Sequence, residues 1–300
     1  MASQQDLKRR IRSVRNTRKI TKAMELVAGA RLRRAEARIK AMRPYAERMR
    51  ELMIGTARAA GPSSARLPLL QAREDASTTG LLAVTGDRGL AGPFNSQILR
   101  RAFALEREFR GAGQDVRWLV VGKKGRSTLT FRRYELAGDW VGFTDRPAYS
   151  DAAAVAHRVV ELFVERGIDR LVVVYNRYYS PLTQKVETID LLPIPRSALE
   201  EGEEQDKTPL EIALEGDIIY EPEPEEILER LLPAYVETTV YRALLESAAS
   251  ELGARMTAMR NASKNANELI DRLTLDMNRA RQAEITQEIL EVVAGADALE

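Results

Sequence analysis

The chain has 300 residues, 44% hydrophobic and 30% charged, enough for two domains or for one ordinary domain plus an extended element. The absence of cysteine excludes disulfides, thiolate zinc sites and iron–sulfur clusters, and a single histidine, His157, excludes a histidine-rich metal site within one chain. The net charge of +2 hides an asymmetry: residues 1–60 hold 17 Lys/Arg against 5 Asp/Glu, a net of +12, so the remainder carries −10. A basic arm of this kind asks for an acidic partner, whether nucleic acid, an anionic membrane surface or an acidic protein surface.

The first arm should be a helix from an N-cap at Ser3, with Asp6 in a capping-box-like position, to about Arg58. Arg-rich openings also mark transit peptides, but Asp6 interrupts the pattern and no cleavage-like break follows, so mature structure is expected. Its seam steps by fours and threes through Ala28, Leu32, Ala35, Ile39, Met42, Ala46, Met49 and Met53, the stripe of a left-handed coiled coil. Pro44 removes one backbone hydrogen bond and predicts a kink near Ala41. Residues 61–78 then read as a surface loop.

The middle of the chain changes period. Short, nearly continuous apolar runs at 80–85, 116–122 and 170–175 predict strands buried on both faces. Helical patterns at 94–109, 124–133 and 151–166 alternate with them, which predicts a doubly wound, parallel α/β sheet of Rossmann-like type. Alternation at 184–191 predicts a further strand at the edge. The acidic, turn-rich stretch 200–226 (EEGEEQDKTPLEIALEGDIIYEPEPEE) reads as a solvated linker. After Pro222 and Pro224, with Glu225 and Glu226 in the first turn and Pro233 kinking it early, a last helix is expected to run to the end. Its seam runs Leu245, Ala249, Leu252, Met256, Met259, Ser263, Ala266, Ile270, Leu273, Met277, Ala280, and some 60 helical residues extend roughly 90 Å. Pairing the two seams gives a long antiparallel coiled coil. The expected organisation is an N-terminal coiled-coil helix over 1–60, an α/β domain with the acidic linker over 61–224, and a C-terminal coiled-coil helix over 225–300.

Catalytic signals are weak. Thr85-Gly-Asp-Arg-Gly-Leu-Ala-Gly-Pro-Phe-Asn95 follows a strand and precedes a helix, where phosphate loops lie, but its glycines match neither GxGxxG nor a P-loop and Asp87 repels a phosphate. A structural loop of Asp87, Arg88 and Gly89, with Asp87 and Arg88 as an ion pair, is expected instead. A Ser-His-Asp triad would need His157, which falls on a predicted helix. No catalytic residue, cofactor site or metal site is assigned. Tyr45 is the only aromatic residue among the first 60, so base stacking finds little support.

The residues also carry a resemblance. Ile20-Thr-Lys-Ala-Met-Glu-Leu-Val-Ala28, Arg43-Pro-Tyr-Ala46 and Asp87-Arg-Gly-Leu-Ala-Gly92 resemble the gamma subunit of F-type ATP synthases. So do Ser250-Glu251, Ala254-Arg-Met-Thr-Ala-Met259, Asn267-Glu-Leu-Ile-Asp271 and Asn278-Arg-Ala-Arg-Gln-Ala283 followed by Ile285-Thr286. The signatures keep the family's order along essentially the whole chain. The resemblance implies a non-catalytic rotor shaft threading a hexamer of alpha and beta subunits (3:3:1), with the epsilon subunit and the membrane c-ring as further partners. It implies a peripheral place on the cytoplasmic face of a bacterial membrane. It also implies that Lys19, Lys22 and Arg31 meet an acidic loop of the beta subunits, and that Arg281 and Gln282 contact them higher on the shaft. Ala91 replaces a cysteine common in the family, and no cysteine pair exists for a thiol switch. Two rival readings are a coiled-coil nucleic-acid-binding protein with an α/β domain and an α/β enzyme with a helical oligomerisation arm.

Overall fold

A computed structural model of the chain describes residues 4–73, 76–199 and 220–297. The expected cap at Ser3 and most of the acidic stretch, residues 200–219, lie outside the described residues. The chain divides into two compact units, Met1–Ala30 with Arg255–Glu300, and Arg31–Ala254. Two long helices, α1 (Gln4–Ala60) and α5 (Pro224–Asp297), contribute to both. Each continues as helix through its internal proline, Pro44 or Pro233. Glu225 and Glu226 occupy the first turn of α5, where the helix dipole favours carboxylates.

In the first unit the helices run antiparallel. Arg18 meets Asn267, Thr21 meets Ser263, Glu25 meets Arg260, and the backbone at Gly29 comes close to Met256. Position numbers rise on α1 as they fall on α5. Leu7, Ile11 and Ala28 are buried on α1, and Met259, Ala266 and Ile270 on α5, the stripe of a coiled-coil seam. Extending the register places Gln4 opposite Arg281, and every described side chain from Arg281 to Val292 is exposed.

The second unit is built on a five-stranded sheet of order β3-β2-β1-β4-β5. Its strands are β1 (Thr78–Val84), β2 (Asp115–Val121), β3 (Leu136–Trp140), β4 (Arg170–Tyr178) and β5 (Gln184–Leu192). The first four are parallel and β5 pairs antiparallel with β4 at the edge. Helices α2 (Phe94–Gly111) and α3 (Lys123–Phe131) cover one face, where Leu81 and Ala83 pack with Ile98, Trp118 and Leu129. The other face packs Leu82 and Val84 against α4 (Tyr149–Val164), Met49 and Met53 of α1, and Leu228, Val236 and Leu244 of α5. Successive strand residues thus enter opposite cores, which is why β1, β2 and β4 read as continuous apolar runs.

Two expectations change. The segment 61–78 is not simply a surface loop: it holds two short 3-10 turns, Gly61–Arg66 and Pro68–Leu70, with Leu69 buried and its carbonyl accepting the Ile194 N–H at 2.8 Å. Strand β3 was not foreseen, because Leu-Ala-Gly-Asp-Trp offers neither an apolar run nor clean alternation.

Arg73 staples the start of the sheet. Its guanidinium donates to the carbonyls of Phe163 and Ile168 and to Asp169 Oδ1 at 2.8 Å, and stacks over the Phe163 ring at 4.6 Å. Asp169 Oδ2 also accepts the N–H groups of Ser77 and Thr78. Burial pushes this carboxyl up, but the Arg73 and main-chain donors outweigh it and hold it below the usual carboxylate range.

Candidate partner-binding interface

In a doubly wound sheet, ligands bind outside the carboxyl ends of the strands where the strand order reverses. Here that point lies between β1 and β4, and α5 occupies it. Ser250 Oγ donates to the Asn176 carbonyl at 3.0 Å, and a Cβ on Gly86, just after β1, would lie 2.7 Å from the carboxylate of Glu251. The remaining cavity, lined by residues including Thr85, Thr144, Ser247 and Glu251, measures about 10 Å³. That is room for about one water and no nucleotide.

His157 lies on α4, is 71% exposed at its side chain, and meets Glu237 of α5 at 3.0 Å through Nε2. The same carboxylate accepts the Tyr149 hydroxyl at 2.7 Å. Burial, then this bond, pushes the Tyr149 phenol up to about 12. The histidine is a tie between two helices, with a carboxylate rather than a serine at the ring nitrogen. Among the described residues no group of three or more His, Asp or Glu is placed to hold a metal, and no helix is long and apolar enough to cross a membrane.

The open feature is a groove on the first unit, about 690 Å³, lined by Arg18, Lys19, Lys22, Ala23, Glu25, Leu26, Arg260, Ser263, Lys264 and Asn267. Five cations face one carboxylate there. Glu25 is largely buried and bonded on both sides, to Lys22 at 3.0 Å and to Arg260 at 3.1 Å. The Lys22 bond, helped by Arg260 and opposed by burial, holds its carboxyl below the usual range. One internal charge against five leaves a basic surface whose remaining cations point to an external anion. The apolar edge at Leu26, 64% exposed, supplies a hydrophobic contact beside them.

Comparison with known proteins decides the family. Residues 3–299 match the family described as ATP synthase (ATP-synt). An ATP synthase gamma chain of Rubrobacter xylanophilus is 47% identical over 299 residues, covering 100% of this chain and 99% of its own. One from Moorella thermoacetica is 44% identical over 299 residues, covering 100% of each chain. The chain belongs to the ATP synthase gamma family. A chain from the central stalk and c-ring structure of the Tetrahymena thermophila mitochondrial ATP synthase shares 28% identity and a TM-score of 0.59, over 81% of this chain and 99% of that one. A Euglena gracilis mitochondrial ATP synthase chain, 19% identical with a TM-score of 0.68 over 99% of this chain and 94% of that one, shares the fold.

Within this gamma-family chain the expected contact residues separate. Lys19 and Lys22 line the basic groove together. Arg31 lies in the second unit and donates to Asp145 at 3.4 Å. Arg281 and Gln282 are exposed on α5, where the antiparallel register reaches the first described residue of α1. Asp87 and Arg88 do not form the expected ion pair. The Asp87 carboxylate is saturated by backbone N–H groups and the Thr144 hydroxyl, while Arg88 lies 3.7 Å from Asp145. Sequence reasoning missed Arg18, Arg260, Lys264 and Asn267. Their only signal was the antiparallel register, which brings residues near 18–26 of α1 to those near 260–267 of α5.

Proposed function

We propose that this chain is the central-stalk rotor subunit of an F-type ATP synthase, a non-catalytic part that couples proton flow to ATP synthesis and hydrolysis. The observation that carries the reading is the match to gamma chains along the whole length, supported by the antiparallel helix pair and its basic groove. Its partners are then an alpha and beta hexamer in a 3:3:1 complex, an epsilon subunit and a c-ring. The complex sits peripherally on the cytoplasmic face of a bacterial membrane, with no insertion by this chain.

A single asymmetric pair of helices inside three equivalent catalytic subunits presents each with different contacts, and differential contact free energy biases each toward a different nucleotide affinity. Shifting a site from 1:99 to 99:1 takes about 5.5 kcal/mol, within reach of a few packing and charge contacts. Lys19 and Lys22 are the residues assigned to an acidic loop of the beta subunits. Arg281 and Gln282 are assigned to a second contact on exposed α5, and Arg31, held by Asp145, to a contact that must compete with that pair.

Affinity purification of the tagged chain tests this. Recovery of alpha and beta in a 3:3:1 ratio with ATPase activity is the expected result. A lone monomer or homodimer inert towards those subunits sinks it, and steep salt-dependent DNA or RNA binding would favour the nucleic-acid reading instead.

A further inference from the structure

The loop after β1 touches, in three successive residues, three different parts of the second unit. Gly86 abuts Glu251 of α5, where a Cβ would lie 2.7 Å from the carboxylate and would force that side chain to shift. Asp87 takes four donors on one carboxylate: the N–H of Lys123 at 2.9 Å, the N–H groups of Gly142 and Thr144 at 2.9 and 3.1 Å, and the Thr144 hydroxyl at 3.0 Å. Its own N–H donates back to that hydroxyl at 2.8 Å. Arg88 approaches Asp145, which also accepts Arg31 of α1.

Converging main-chain N–H groups at the start of a helix are what a bound phosphate receives. Here the anion belongs to the chain, so the turn after β3 is fastened to the N-terminus of α3. Asp145, the next residue, is thereby held where Arg31 reaches it. The Arg31 and Arg88 pairs are exposed and individually weak, so the internal carboxylate is the strong member of the set. We propose that this loop is a clamp that locks α1 and α5 to the α/β sheet, so that twist carried along the two helices passes into the α/β domain without slip. The proposal rests on the rotor reading.

The test uses complexes reconstituted in vesicles, scoring ATP hydrolysis and proton pumping together. Asp87→Ala is expected to hydrolyse ATP at the wild-type rate but lose pumping per ATP hydrolysed. Asp145→Asn removes the shared partner of Arg31 and Arg88, leaves the carboxylate cradle and Arg31 itself intact, and is expected to show a smaller loss in the same ratio. A merely structural defect lowers both activities and leaves the ratio alone, which overturns the clamp, as does an unchanged ratio in both variants. If Asp87→Ala does not assemble, Asp145→Asn decides by the same ratio. Failure of the wild-type chain to join alpha and beta subunits would instead overturn the rotor reading.

Discussion

Ser250 on α5 donates its hydroxyl to the main-chain carbonyl of Asn176 on β4 at 3.0 Å, and both residues are shut off from solvent. The contact sits at the end of the sheet where α/β proteins of this winding take their ligands. A helix seated there replaces the crevice with packing. The consequence runs from topology to packing: the carboxyl end of the doubly wound sheet carries α5.

Ser250→Ala removes the donor and leaves a buried carbonyl without it, at a cost of about 1–2 kcal/mol. Urea unfolding should show a lower midpoint with the slope unchanged. An unchanged midpoint would show that this bond does not help hold α5 on the sheet.

Asp169 gives the fold a pH signature. Its folded-state carboxyl is held below the usual range, chiefly by Arg73 and the N–H groups of Thr78 and Ser77 acting against burial. The stabilisation is therefore complete above the ordinary carboxylate value of about 3.9. It fades as pH falls below that value and through the depressed folded one. The stability difference between wild type and Asp169→Asn should be constant from neutral pH to about pH 5 and shrink towards pH 3. A difference that grows on acidification would contradict the assignment.

What the sequence made legible follows from how each feature is encoded. Strands β1, β2 and β4 carry their burial in their own apolar residues, and both seams carry theirs in heptad spacing. Strand β3 does not, since Gly138 and Asp139 become a strand through pairing with Leu119 and Val120 of β2, past an irregularity at Ala137. Asp87 was misassigned for a related reason. Its partners are backbone N–H groups of Lys123, Gly142 and Thr144, and a backbone donor leaves no trace in residue type, whereas the adjacent Arg88 suggests a pair. The groove was half legible: Lys19 and Lys22 came from the resemblance of the basic arm to the family's shaft, but Arg260 and Lys264 join them only through the register of two helices distant in sequence.

Reversing the charge of that groove tests the assigned partner chemistry. Lys19→Glu with Lys22→Glu should slow association with the alpha and beta hexamer about tenfold or more at low salt. The difference should contract as salt is raised, because exposed charges are screened over about 10 Å at 0.1 M. Stopped-flow binding at two ionic strengths measures both. An association rate indifferent to the reversal would remove the groove from the interface.

Thr21 and Ser263 test the seam itself. Their hydroxyls lie 2.7 Å apart across the helix pair, and Thr21 Oγ1 is 3.0 Å from the Arg18 carbonyl. Thr21 has one proton, so when it donates to Arg18 it accepts from Ser263, and a chain of two bonds crosses the seam. Thr21→Val should cost about 1 kcal/mol by stranding the Ser263 hydroxyl. Adding Ser263→Ala removes the stranded group, so the double variant should lose less than the two single losses together. The shortfall should be about 0.5–1 kcal/mol in a double-mutant cycle read by thermal melting of the helical signal. Strict additivity would mean that the two hydroxyls find water separately and that the seam is held by its apolar residues alone.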